Sequence, residues 1–136
     1  MVAHDADRDV QHAKLSVVIF GAYLIALGAI LLLAPNVLLA VFGIPQTDEF
    51  WIRILGTLLV VIGYYYVEGG RAESVWLMRA SVLGRVGVAA VLGALVLIGM
   101  APPVMALFAA VDVAGATWTT VALRRPQARV PADQRP

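Results

Sequence analysis

From Leu15 to Gln46 the chain carries no charged residue. A helix needs about 20 apolar residues to cross about 30 Å of hydrocarbon, and the first part of this run, LSVVIFGAYLIALGAILLLA, supplies them. Composition gives the stretch its meaning. Hydrophobic residues make up 61% of the 136 and charged ones 14%, about half the usual share of a soluble domain, and the mean hydropathy is +0.86. Such a chain has too few polar groups to cover its own apolar surface in water, so the bilayer is its natural solvent. With no cysteine, disulfides, thiolate catalysis and cysteine-ligated metals are excluded. A net charge of +1 implies no nucleic-acid partner.

Punctuation along the chain divides it into spans. Pro35 ends the first crossing near Ala34, because proline cannot continue a helix without losing a backbone hydrogen bond. In PNVLLAVFGIP, Pro35 suits a first helical position and Gly43 a left-handed cap. This predicts a helix of about two turns, too short to cross, lying on the membrane surface or folded back on the bundle. Thr47 is the expected N-cap of the next helix, with Asp48 and Glu49 in its first turn. The second span is expected from Phe50 to Val67, ended by Gly69 and Gly70. Ser74 caps a third helix whose deep part is Val82 to Gly99. A turn at 101–103 leads into a fourth helix, with Pro103 at its start and Leu123 near its end. The expected plan is all-α: a polar segment 1–14, a four-helix membrane domain 15–123 and a basic, disordered tail 124–136. The first span reads as a retained helix rather than a cleaved signal, since MVAHDADRDVQHAK mixes acid with base and no small-residue cleavage site follows.

Basic residues orient the spans, because cytoplasmic flanks collect lysine and arginine. With four helices and both termini cytoplasmic, nine of the ten basic residues fall on one side and only Arg53 on the other. Phe50 and Trp51 then mark one interface, and Tyr64, Tyr65, Tyr66, Trp76 and Trp118 the other. Helices in lipid gain nothing from burying leucine against leucine, so small residues must let backbones approach. The expected stripes are Gly21 and Gly28, with Ala22 and Ala29; Gly56, Thr57 and Gly63; Gly84, Gly87, Ala90 and Ala94; and Gly115, Ala116 and Thr119.

Asp112 is the one carboxylate inside the run AAVDVAGATW. Counted from the turn at Ala101–Pro102, it lies about 15 Å down its helix, near the bilayer midplane, where a charge costs about 2.5–3.5 kcal/mol. Arg85, roughly 9 Å lower on the third span, is the expected partner, and Arg53 the second candidate. A guanidinium can hold a carboxylate through two parallel bonds. Thr119 shares the face of Asp112, and Tyr64 shares that of Arg53. Asp112, Arg85, Arg53, Thr119 and Tyr64 are therefore the candidate ligand- or proton-binding residues. The alternative is a structural ion pair that fixes helix register. His4 and His12 lack a supporting cluster for a metal. No serine has an aligned base, and no phosphate loop or zinc motif is present, so neither a catalytic residue nor a cofactor is expected, and the chain does not read as an enzyme.

The segments LGAILLLAPNVLLAVFGIP, WIRILGTLLVVIGYYY, SVLGRVGVAAVLGALVLIGMAPP and VDVAGATWTTVAL resemble small four-helix bacterial membrane proteins of the DoxX-like type and their uncharacterised relatives. The resemblance covers most of residues 15–123 and implies a multi-pass protein of the bacterial inner membrane. DoxX itself is associated with a terminal quinol oxidase, but no motif here carries quinol chemistry over. Small size and the lack of a catalytic motif lead to the expectation of an accessory or scaffold subunit. Its expected partners are the bilayer, another membrane protein or a second copy, and anionic lipid at Arg124, Arg125 and Arg129. The alternative is small-ligand or proton binding or transport at Asp112 and Arg85.

Overall fold

The computed structural model describes residues 2–124; the expected tail, with Arg125, Arg129 and Arg135, lies outside the described residues. Five helices follow one another: α1 (Val2–Leu33), α2 (Pro35–Val41), α3 (Trp51–Arg71), α4 (Val75–Leu97) and α5 (Met105–Arg124). Four of them, over Gln11–Leu33, Trp51–Arg71, Val75–Leu97 and Met105–Leu123, are long and apolar enough to cross a membrane. Leucines, valines and tryptophans stand exposed along these helices, Leu83 and Trp76 at 76% and Leu97 at 88% among them. An apolar coat of that extent suits acyl chains and not water. The chain is a multi-pass helical membrane protein.

Most boundaries follow from local chemistry. Pro35 opens α2, and Gly43 takes the left-handed conformation after it, at φ +65°. The Ser74 hydroxyl caps α4 by accepting from the Leu77 N–H at 3.4 Å. Three expectations are corrected. Thr47 does not cap α3: its hydroxyl accepts from the Glu49 N–H at 3.2 Å and its own N–H donates to Asn36 Oδ1 at 3.0 Å, so it ties the loop to α2, and α3 starts at Trp51. Gly69 and Gly70 do not end α3, which runs on to Arg71. They serve close packing instead, for a Cβ on Gly70 would lie 2.7 Å from Val18 Cγ2 and one on Gly69 would run into Leu77. Pro103 sits in the turn before α5, whose first residue is Met105.

α1 is the hub. Of its span 39% is buried, against 17% for each of the other three. It lies antiparallel to α3, and glycines seven residues apart on both helices meet backbone to backbone. A Cβ on Gly28 would lie 2.6 Å from Gly56 O, and one on Gly63 would lie 2.6 Å from Gly21 O. A second side of α1 meets α5, and α5 pairs with α4. The ring is closed only weakly between α3 and α4, which meet where Gly69 faces Leu77 and Tyr66 faces Gly84. The stripe expected on α4 does not form. Gly84, Gly87, Ala90 and Ala94 are exposed, and the inward face is Met78, Ser81, Arg85 and Ala89.

The bundle is solid at one end, where Ala13, Val17, Met78 and Ala122 form the packed core. The other end is hollow. α2 folds over it, with Phe42 edge-on to Phe108 at 5.2 Å between ring centroids. At the last turn of α1, whose carbonyls lack helical donors, Arg53 Nη1 donates to Leu32 O.

A Gly28→Leu substitution drives a side chain into the α3 backbone, and overpacking of this kind costs about 1–3 kcal/mol or more. Thermal unfolding of the detergent-solubilised protein is expected to show a clear loss of Tm for Gly28→Leu. Gly87→Leu, where a Cβ meets nothing within 4 Å, is expected to leave Tm unchanged.

Candidate functional site: a buried arginine at the foot of a cavity

Arg85 is 1% exposed and sits where the solid end of the bundle gives way to the hollow one. α4 brings it inward on the stripe that also carries Met78, Ser81 and Ala89. Its guanidinium fits against α5 because residue 115 is glycine: a Cβ there would lie 2.8 Å from Nη1. Nη1 donates to the Thr119 hydroxyl at 3.3 Å. Thr119 is itself buried, 3.0 Å from Gly115 O and 2.8 Å from the Ser16 hydroxyl, so three helices share one short polar chain. Aromatic faces cover the cation: Cζ lies 3.9 Å from the centroid of the Phe20 ring and 5.3 Å from that of Tyr66. A desolvated cation over an aromatic face gains about 2 kcal/mol or more. The remaining polar atoms, Nε and Nη2, are buried and have no hydrogen-bond partner.

The expected pairing with Asp112 is not made; among the described residues the ion pairs are Lys14–Glu73 at 3.0 Å and Glu68–Arg71 at 3.7 Å. Helical side chains lean toward the N-terminus of their own helix. α4 and α5 are antiparallel, so Arg85 and Asp112 lean away from each other. The guanidinium settles beside Gly115 and Thr119, and Asp112 stands a turn further toward the hollow end, half-buried.

Both groups nevertheless line one cavity of about 450 Å³, within the range of small-molecule sites. Its walls are leucine, isoleucine and aromatic side chains from all five helices, with Tyr23, Tyr66, Arg85 and Asp112 bringing the ionisable groups. It is long: Ile52 and Tyr66 both line it, nearly four turns apart on α3, about 21 Å at 1.5 Å per residue. α2 roofs it with Leu38, Leu39 and Phe42.

Of the five sequence candidates, Arg85, Asp112 and Thr119 gather here. Arg53 and Tyr64 do not: both are exposed, and Arg53 is spent on the end of α1. Phe20, Tyr23 and Tyr66 complete the site and were not among the candidates. The sequence groups Tyr66 with Tyr64 and Tyr65 as an interfacial belt, but only those two are exposed, while Tyr66 turns inward and sets its ring 5.6 Å from that of Phe20, tilted by 42°. A signal was present. Ile52, Leu55, Leu59, Ile62 and Tyr66 alternate spacings of three and four along one helical face. Among the described residues no group of three His, Cys, Asp or Glu stands together to hold a metal. Compared with family models, with curated proteins and with solved structures, the chain has no significant match.

Thr119→Val deprives Arg85 of its one hydrogen-bond acceptor and is expected to cost about 1–3 kcal/mol, read as a lowered Tm in detergent. Thr117→Val, where the hydroxyl is exposed and bonds only Val113 O of its own helix, is expected to stay within about 0.5 kcal/mol.

Proposed function

We propose that the protein binds a membrane-soluble small molecule inside the bundle, with its apolar body in the cavity and its polar end at the Arg85 foot. The observation that carries this reading is the fully buried guanidinium with two unpartnered nitrogens on the wall of a long apolar cavity. Ionisable groups inside membrane spans concentrate at functional positions, and a pocket of apolar walls with a few convergent polar groups is the usual form of a ligand site. An accessory or scaffold subunit needs neither a hollow interior nor a buried cation, so ligand binding ranks above that role, alone or within a larger complex. Four spans leave a pocket between helices more credible than a wide channel.

Lys14, Arg71, Arg79 and Arg124 cluster toward the solid end and Arg53 toward the roofed end, which supports both termini being cytoplasmic and anionic headgroups meeting the solid end. The α2 roof then faces the outer side of the membrane. The bacterial inner membrane as the location rests on the resemblance to DoxX-like bundles.

Leu92 lines the cavity at mid-height, while Leu83 on the same helix is 76% exposed. A tryptophan at the first position fills the cavity; at the second it faces lipid. Mass spectrometry of small molecules co-purified with the wild type is expected to show an amphiphile that Leu92→Trp loses and Leu83→Trp retains. The same complement in all three proteins would overturn the reading.

A further inference from the structure

The two free nitrogens of Arg85 are not an arbitrary pair. Nη1 is committed to Thr119, which leaves Nε and Nη2, and their N–H bonds lie side by side along one edge of the planar guanidinium. That edge is the fork that accepts the two oxygens of a carboxylate in parallel. The chain's own nearby carboxylate, Asp112, does not fill it, since no Asp112 ion pair lies within 4.0 Å among the described residues. The space beyond is equally selective. A volume of about 450 Å³ drawn out over about 21 Å is a slot with room for one extended chain. We propose that the site takes a single-chain amphiphile with a carboxylate head, of the fatty-acid class. The two oxygens sit on Nε–H and Nη2–H of Arg85, and the alkyl chain runs past Asp112 and Leu92 toward Trp51 and the α2 roof.

Two details of the surroundings bear on this assignment. As the rings of Phe20 and Tyr66 stand, they cover the guanidinium, so the fork is reached by a rotation of Tyr66, whose half-buried ring is itself part of the cavity wall. A carboxylate matches the two free donors, and the Thr119 and Ser16 hydroxyls beside them are already bonded to each other and to backbone carbonyls. The weak closure between α3 and α4 gives an alkyl chain a sideways path from the bilayer.

The inference rests on the cavity being a ligand site, and the test separates the two. Trp51 lines the cavity and is half exposed at its rim, so Trp76→Phe with Trp118→Phe leaves one reporter at the tail end, and saturation and reversal by unlabelled acid tell quenching from the cavity apart from quenching out of the bilayer. The full chain in lipid nanodiscs is titrated with hexadecanoic acid brominated near its methyl end, with the same acid brominated near the carboxyl, and with the methyl ester of each. The expected result is saturable quenching of Trp51 by the acid, stronger for the methyl-end bromines, reversed by unlabelled hexadecanoate, and at least tenfold weaker binding for the ester. Arg85→Gln is expected to weaken acid binding at least tenfold and ester binding little. If ester and acid saturate with equal affinity, the carboxylate assignment fails and the cavity reading survives. Quenching that rises linearly with every probe overturns both. The acid–ester comparison is made on a protein with Arg85 intact, so it decides the matter even where Arg85→Gln does not fold.

Discussion

In lipid the attraction between helices comes from contact and not from the expulsion of water, so a bundle like this one is organised where backbones touch. Gly21, Gly28, Gly56 and Gly63 put the α1 backbone against the α3 backbone at distances no side chain could share. The seven-residue repeat keeps the contact on one side of each helix over two full turns. Once α1 has given that side to α3, α5 packs on the neighbouring side, through Ser16 with Thr119 and Phe20 with Gly115. α4 follows its hairpin partner, and α3 and α4, joined by a short connection but lacking facing glycines, are left to diverge. The hollow half of the molecule is a consequence of where the glycines are.

Arg85 is housed by the same logic. A charge within hydrocarbon costs about 2.5–3.5 kcal/mol on insertion scales, and the site offsets it without a counter-ion. Thr119 accepts one hydrogen bond, Gly115 leaves room for the guanidinium to lie flat, and Phe20 offers the negative face of its ring at 3.9 Å. Each of these suits a flat, delocalised, weakly hydrated cation and not a compact ammonium. The housing encloses the guanidinium but offers no hydrogen-bond acceptor to its Nε–Nη2 edge. A residue kept only to pin helix register has no reason to leave that edge unmatched, since an unpaired buried donor costs about 1–3 kcal/mol.

The spans, the short helix after Pro35, the cap at Ser74 and the α1–α3 glycines were legible because each is written in local chemistry: charge-free length, a missing N–H, a hydroxyl before an apolar run, a seven-residue spacing. The inward face of α4 was not. Valine, leucine, alanine and glycine surround that helix almost evenly, so small residues alone did not say which side turned in; Arg85 marked the true face, and Gly87 and Ala90 lie off it. The Asp112–Arg85 pairing was inferred from axial height, and height ignores lean. On antiparallel helices the two side chains point apart. Tyr66 was hidden by its neighbours in the sequence, since three adjacent tyrosines spread over most of the helix circumference and only one of them can face the core.

The contrast between the two ends of the bundle bears on how the protein meets its solvent. At the solid end Ala13, Val17 and Met78 are fully enclosed and touch one another. Along the cavity the leucines of α1, α2 and α3 face across a gap, and a wall atom with no neighbour forfeits its dispersion contacts. In water such a gap would favour collapse. In a bilayer the surrounding medium is made of the chains that fit it, and the α3–α4 side, where closure is weakest, faces that medium. A hydrocarbon chain entering there restores the contacts of the walls, but bilayer chains alone give no reason for a guanidinium at the bottom. The proposed amphiphile needs both an alkyl-sized slot and a two-pronged cationic foot, and both trace back to glycines: those of α1 and α3, which hold one wall in place, and Gly115, which lets the arginine lie down.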